Sequence, residues 1–458
     1  MSLAEETLRR SYIIVQTLLH QGVSHFCLAP GSRSSPLAEA IYTLAKDSCL
    51  VHFDERGLGF YALGLAKASK KPVALLVTSG TAVANLLPAV VEASLSRVPL
   101  LLLTADRPFE LRDCGANQTI EQTSIFSSYI HWKSDLPLSD LAISDACLQA
   151  TFSYALWTAQ KAPPGPVQIN CMIREPLVST TKPSFTLPPL CRYETVETLP
   201  SKESLVHWTR SLSSKQRGII LLGSDAIEGD PTPILELSAR LKWPIFSDVL
   251  SGGRAIGPHP LHVQYPDLLL RSFPSLRIDA VLQLGDRLVS KTLTTWLRSQ
   301  ESLSYYLAST SPSQQDPDRL ATHRIGCSGL SLAKAMIPLL SSAQETSPWL
   351  QFWEKSSLHV ASFLSAFFAE QTAFTEPFIA HSLEQGSSLF LSNSMPIRDA
   401  EFFLFPTKKL VSIFANRGAS GIDGNIATAC GLAKGLGKPL IAVLGDMASL
   451  HDINSLAF

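Results

Sequence analysis

Nine short apolar runs, each followed by small or polar residues and then a helical pattern, constrain the fold of this chain more than any other feature. They lie at residues 23–29, 73–78, 98–104, 167–171, 218–222, 280–284, 389–391, 410–414 and 440–444. Strands that alternate with helices form βα units, because a parallel connection needs a crossover long enough to hold a helix. The runs are nearly continuous in apolar residues instead of alternating, which predicts strands covered on both faces. The expected class is α/β, with mostly parallel sheets flanked by helices.

At 458 residues the chain is long enough for two to four domains, each with its own core. Two stretches have linker character. Residues 182–200 (KPSFTLPPLCRYETVETLP) are rich in proline and lack periodicity, and residues 341–348 are short and polar. They predict a first domain at 1–182, a central domain at 183–347 and a third at 348–458.

The formal net charge of −1 supplies no long-range attraction to nucleic acid or anionic lipid, so neither is an expected partner. An anionic ligand must then be held by local arginines. No apolar run reaches the length needed to span a bilayer. The opening residues Met1-Ser2-Leu3-Ala4-Glu5-Glu6 are acidic and lack the basic-then-apolar order of a signal peptide. Eight cysteines are scattered without a CxxC pair, which predicts reduced thiols and no zinc site or disulfide framework. A cytoplasmic protein is expected.

Open α/β sheets bind ligands at the carboxyl ends of their strands. In the first domain those ends carry Pro30-Gly31-Ser32-Arg33-Ser34, Ser79-Gly80-Thr81 and Ala105-Asp106-Arg107-Pro108. In the third they carry Ser392-Asn393-Ser394, Ala415-Asn416-Arg417-Gly418 and Gly445-Asp446. Glycine lets a ligand approach the backbone, and hydroxyl or amide side chains add donors at a helix start. One such turn could merely cap a helix. Several turns with arginine in them predict a face that binds anions. No GxGxxG follows a strand, no GxxxxGK[ST] is present, HExxH is absent and the eleven histidines lack metal-ligand spacing, which sets aside dinucleotide, P-loop and zinc-hydrolase readings.

Six strings then carry a specific resemblance: Pro30-Gly31-Ser32-Arg33-Ser34, Phe53-Asp54-Glu55-Arg56-Gly57, Thr78-Ser79-Gly80-Thr81-Ala82-Val83-Ala84-Asn85, Thr104-Ala105-Asp106-Arg107-Pro108, Asp113-Cys114-Gly115-Ala116-Asn117-Gln118, and Asn416-Arg417-Gly418-Ala419-Ser420-Gly421-Ile422-Asp423-Gly424. In this order they resemble the 2-succinyl-5-enolpyruvyl-6-hydroxy-3-cyclohexene-1-carboxylate synthase family, the thiamine-diphosphate enzymes of menaquinone biosynthesis. The resemblance is weakest in the central domain. It implies a pyrimidine-binding domain, a central domain and a diphosphate-binding domain, with the cofactor held between subunits of a homodimer or homotetramer. It also implies a C–C bond-forming transferase that decarboxylates 2-oxoglutarate and adds the succinyl carbanion to isochorismate.

By the same resemblance, Glu55 is the catalytic carboxylate set against the cofactor's aminopyrimidine. Asp446, after Gly445, matches the aspartate that holds Mg2+ or Mn2+ on the diphosphate. Ile422 matches the apolar prop beneath the cofactor, and Ser394 and Gly418 lie where the family contacts it. Arg33, Arg107 and Lys291, with Ser32, Asn117 and Gln118, match positions near isochorismate. Arg398 and Arg417 match positions at the succinyl end. Both substrates are dianionic acids, and forked guanidinium groups suit carboxylates.

The sequence departs from the family in two places. Thr292 stands beside Lys291 where a second positive charge is expected. The sequence ends at Phe458, before the asparagine that completes the family's metal-binding motif, so the third domain is expected to be incomplete. A fragment of a longer protein and an inactive shortened relative both fit that ending. The remaining alternative is another thiamine-diphosphate carboligase of the acetolactate-synthase kind, which the arginine-bearing turns disfavour.

Overall fold

The apolar runs become parallel strands. In a computed structural model, the structure describes residues 2–139, 143–181, 183–194, 196–342, 347–383, 386–405 and 412–458. Lys182 and residues 343–346, at the two expected boundaries, lie outside these, as do residues 410–411 of one apolar run. The chain forms two compact units, Met1–Thr195 with Asn416–Phe458, and Val196–Ala415.

The first unit is built on a six-stranded sheet in the order β2-β1-β3-β4-β6-β5. Its strands are β1 (His25–Leu28), β2 (Cys49–Val51), β3 (Val73–Val77), β4 (Leu100–Asp106), β5 (Trp132–Leu136) and β6 (Val167–Met172). Every pairing is parallel. β3 and β4 are buried at every position, as continuous apolar runs predict. Alternate residues feed two cores. Phe26, Ala74, Leu76, Leu101 and Leu103 face helices Leu3–His20, Ser35–Ala45 and Asp145–Gln160. Cys27, Leu75, Val77, Leu100 and Leu102 face helices Glu55–Ser69 and Leu87–Leu95. The two edge strands, β2 and β5, were not expected. β2 is three residues long, and β5 (WKSDL) carries charge because half of it meets solvent.

Residues 183–194 form no helix or strand and run along this unit. Phe185 packs edge-on against Tyr12, Gln149 Nε2 donates to the Pro188 carbonyl at 2.8 Å, and Tyr193 stacks on Trp157.

Helices Glu55–Ser69 and Asn425–Leu436 pack face to face through glycine. A Cβ on Gly64 would overlap the Thr428 carbonyl oxygen, and one on Gly431 the Tyr61 carbonyl oxygen. Backbone cannot retreat as a flexible side chain can. Gly64→Ala is therefore expected to destabilise the first unit by roughly 1–3 kcal/mol, the usual cost of overpacking. Urea unfolding monitored by circular dichroism checks this; an unshifted midpoint would show that the helices are free to move apart.

The second unit has its own six-stranded sheet, in the order β12-β11-β10-β7-β8-β9. The strands are β7 (Gly218–Leu222), β8 (Ile245–Ser247), β9 (His262–Val263), β10 (Ala280–Leu284), β11 (Ser304–Ala308) and β12 (His323–Ile325), all paired in parallel. Only β7 and β10, central and wholly apolar apart from Gln283, were expected from the sequence. Helix Pro348–Ala369 packs on this sheet: Trp349 Nε1 donates to the Gly218 carbonyl at 2.9 Å, and Trp353 meets Phe246 edge-on. Within the same unit, β13 (Ser388–Leu391) pairs in parallel with β14 (Ile413–Phe414). Helix Met395–Phe403 is anchored by a buried ion pair, Arg254 to Glu401 at 3.1 Å, and Glu401 Oε2 also accepts the Val249 N–H at 2.6 Å. The last strand, β15 (Leu440–Val443), belongs to the first unit. Among the described residues no helix is long and apolar enough to cross a membrane.

Candidate active site

The carboxyl ends of β1, β3 and β4 bring two arginines together. Arg33, in the turn after β1, is buried, with Nη1 donating to the Ile173 carbonyl at 2.9 Å and Nη2 to Glu175 Oε1 at 3.0 Å. Arg107 follows β4, and its Nη1 donates to Ser79 Oγ at the end of β3. Ser79 is held in turn by Gln118, which accepts from Ser79 Oγ through its carbonyl at 3.0 Å and donates from Nε2 to the Ser79 carbonyl at 2.9 Å. Burial, then the Arg33 guanidinium, lowers the Arg107 pKa, which marks the two cations as neighbours. Ser32, beside Arg33, is exposed, as are Asn117 and Gln118 in the loop beyond the short helix Phe109–Leu111. Two forked cations with hydroxyl and amide groups beside them are suited to a carboxylate.

A buried polar network, unforeseen in the sequence, supports these turns. Gln122 Oε1 accepts the Gly80 N–H at 3.2 Å, while its Nε2 donates to the Ala105 carbonyl at 3.0 Å and Asn170 Oδ1 at 2.7 Å. Asn170 Nδ2 donates to Asp106 at 2.9 Å and to Asp135 at 2.8 Å, and Arg112 bridges the same two carboxylates. Burial raises the Asp106 pKa, with Asn170 and Arg112 opposing it. Gly80 has φ +83°, and a Cβ there would press on Gln118, so glycine is needed at that turn. A signal was available: Gln168 and Asn170 are polar residues inside an otherwise apolar strand, and buried amides need partners.

Glu55 is the first residue of helix Glu55–Ser69. Asp54 caps that helix by accepting from the Arg56 and Gly57 N–H groups, which leaves Glu55 half-buried with no hydrogen bond to its carboxylate among the described residues. Next to it, Arg56 Nη2 donates to the His451 carbonyl at 2.9 Å, and Phe458 stacks on His52 and Tyr61. His451 ends the short helix that Asp446 begins, so one helix of six residues separates Asp446 from the Glu55 turn. Asp446 is exposed, with Oδ1 accepting the Met447 N–H at 2.7 Å. Ile422 is 39% exposed, a large apolar side chain left without cover in a loop that also holds Arg417 and Gly418.

Eleven of the fourteen candidate residues lie in the first unit; Lys291, Ser394 and Arg398 lie in the second. Lys291 opens helix Lys291–Arg298, which Ser290 caps, and is exposed. Ser394, with φ +73°, precedes helix Met395–Phe403, on which Arg398 is exposed. Among the described residues no group of three or more His, Cys, Asp or Glu could hold a metal ion.

Two families match this chain. One, described as thiamine pyrophosphate enzyme, N-terminal TPP binding domain, covers residues 9–125. The other, the middle domain of thiamine pyrophosphate enzymes, covers residues 186–391. A 2-succinyl-5-enolpyruvyl-6-hydroxy-3-cyclohexene-1-carboxylate synthase from Rubrobacter xylanophilus is 39% identical over 97% of this chain and 80% of its own length. The chain belongs to this synthase family. Relatives of the same name from Salinibacter ruber and Chloroflexus aurantiacus are 37% and 39% identical, again over 97% of this chain and 79% and 78% of their own lengths. The synthase family is thiamine-diphosphate-dependent, as both matched domains indicate. Ser32, Arg33, Glu55, Arg107, Asn117 and Gln118 fall within the first match, and Lys291 within the second.

Proposed function

We propose that this chain binds thiamine diphosphate and acts on 2-oxoglutarate and isochorismate, joining them with loss of CO2 to give 2-succinyl-5-enolpyruvyl-6-hydroxy-3-cyclohexene-1-carboxylate. The observation that carries the reading is Arg107 held by Ser79, itself held by Gln118, with the buried Arg33 in the turn after β1 of the same unit. Paired guanidiniums suit an acceptor with two carboxylates and suit pyruvate poorly, which favours this reaction over acetolactate formation.

The residues present fit the cofactor. Glu55 offers a carboxylate with no protein partner among the described residues, Ile422 offers an uncovered apolar side chain, and Asp446 offers one oxygen ligand to Mg2+ or Mn2+. Diphosphate oxygens and water would complete the coordination of such a hard cation. Bound thiamine diphosphate supplies the carbon nucleophile and the electron sink for decarboxylation. Glu55 holds a proton at the edge of the aminopyrimidine ring. In the first unit Arg417 orients the distal carboxylate of 2-oxoglutarate, Gly418 lines the cofactor and Gly445 lies at the diphosphate; in the second, the family resemblance alone assigns Ser394 to the cofactor and Arg398 to 2-oxoglutarate. Arg33 and Arg107 hold the carboxylates of isochorismate, with Ser32, Asn117 and Gln118 donating beside them; Lys291, in the second unit, is assigned to isochorismate by the family resemblance alone. C1 of 2-oxoglutarate leaves as CO2, and its keto carbon forms the new C–C bond. A homodimer or homotetramer in the cytoplasm is the assembly proposed.

The test supplies the protein with thiamine diphosphate, Mg2+ and either 2-oxoglutarate plus isochorismate or pyruvate alone, and identifies products by mass spectrometry. Formation of the succinylated cyclohexene from the first mixture is expected. Acetolactate from pyruvate alone, with no coupled product from the first mixture, would replace this reading with its rival.

A further inference from the structure

We propose that Glu92 is a positioning residue for the loop that carries Arg417 and Gly418, and through it for the 2-oxoglutarate end of the site; this rests on the function proposed above. Glu92 lies on helix Leu87–Leu95 (LPAVVEASL) and is 2% exposed. A buried carboxylate is costly unless its oxygens are satisfied, so its partners are informative. Oε1 accepts the Gly418 N–H at 2.9 Å and the Ser96 hydroxyl at 2.6 Å, and Oε2 accepts the Ala419 N–H at 2.7 Å. Lys67 Nζ stands 3.7 Å from Oε1 and donates to Asn416 Oδ1 at 2.9 Å. Asn416 Nδ2 donates to Thr428 Oγ1 at 2.9 Å.

Residues 416, 418 and 419 are thus tied down on either side of Arg417. The ties come from three helices, one of which begins at Glu55 and carries Lys67. Gly418 is also closely seated: a Cβ would come within 2.9 Å of Ser96 Oγ, the Glu92 carbonyl and Glu92 Oε2. Two successive N–H groups on one carboxylate set the backbone direction, and so the point from which the Arg417 side chain departs. Preorganisation of this kind decides whether a carboxylate clamp is in place before its ligand arrives. Glutamine cannot copy it, because its NH2 group would face one of the two N–H donors and Lys67 would lose its counter-charge.

The test compares Glu92→Gln, Ser96→Ala and Arg417→Ala with the unaltered protein. Amide hydrogen–deuterium exchange across residues 416–420 is expected to accelerate about tenfold or more in Glu92→Gln, and less in Ser96→Ala, with other segments unchanged. The KM for 2-oxoglutarate should rise roughly tenfold while that for isochorismate stays within about twofold, and adding Glu92→Gln to Arg417→Ala should cost little more, as expected for residues acting as one unit. If Glu92→Gln does not fold, Ser96→Ala still decides the exchange result. Unchanged exchange in this segment, equal loss for both substrates or full additivity overturns the proposal. An Arg417→Ala protein that handles 2-oxoglutarate normally would instead remove the substrate role assigned to Arg417, while the exchange data still report whether Glu92 holds the loop.

Discussion

Glu55→Gln is expected to lower turnover by about a hundredfold to ten-thousandfold, the range for removal of a positioned acid–base group, with fold and cofactor affinity retained. Retention of the fold follows from the local geometry. Asp54, not Glu55, caps helix Glu55–Ser69, and the Glu55 carboxylate accepts no hydrogen bond among the described residues. Glutamine has nearly the same volume and the same helix-forming tendency, so nothing structural is lost. What disappears is the negative charge that favours a proton on the aminopyrimidine. The measurement is exchange of the thiazolium C2 proton into deuterated water, followed by NMR beside steady-state rates. A C2 exchange rate equal to that of the unaltered protein would remove Glu55 from the catalytic role.

The arginines are expected to separate by half-reaction. Arg33→Ala and Arg107→Ala should still consume 2-oxoglutarate and release CO2 but fail to deliver the product with isochorismate. Arg417→Ala and Arg398→Ala should slow CO2 release itself. Truncating one partner of a desolvated, hydrogen-bonded charge pair costs roughly 2–5 kcal/mol, because the other charge is left unpaired. At about 1.4 kcal/mol per tenfold, that is roughly thirtyfold to a few thousandfold in rate or affinity. An arginine that stays solvated would cost less than about 1 kcal/mol, so the readings are well separated. Arg33 needs a control: it also binds the Ile173 carbonyl and Glu175, so its thermal unfolding must be compared before its kinetics are interpreted. Lysine replacements should recover only part of each loss, since a point charge cannot reproduce a two-pronged contact. Single-turnover release of CO2 and formation of product, each substrate varied in turn, give the answer. Four variants that fail equally at both steps would undo the division of the site.

The turns of the candidate site were legible because they are local. Pro30-Gly31-Ser32-Arg33-Ser34 and Ala105-Asp106-Arg107-Pro108 directly follow apolar runs, so their place at strand ends could be read from neighbours in sequence. Glu92, Gln122 and Asn170 could not be read in that way. Glu92 and Asn170 are polar residues on buried elements and Gln122 is a loop residue, and the role of each depends on partners far along the chain: Glu92 with Gly418 and Ala419, Gln122 with Gly80 and Ala105, Asn170 with Asp106 and Asp135.

The same distinction runs through the fold. Sequence by itself determined the parallel α/β class and the central strands β1, β3, β4, β6, β7 and β10, because burial on both faces favours nearly continuous apolar runs. Edge strands such as β5, half in water, carry no such demand and emerged only when their neighbours were in place. Tertiary structure alone decided that Asn416–Phe458 shares a compact unit with Met1–Thr195. Among the contacts that join them, two set glycine against backbone, Gly64 on Thr428 and Gly431 on Tyr61. A glycine in a helix states only that a side chain is missing; which backbone fills the space is settled by long-range packing.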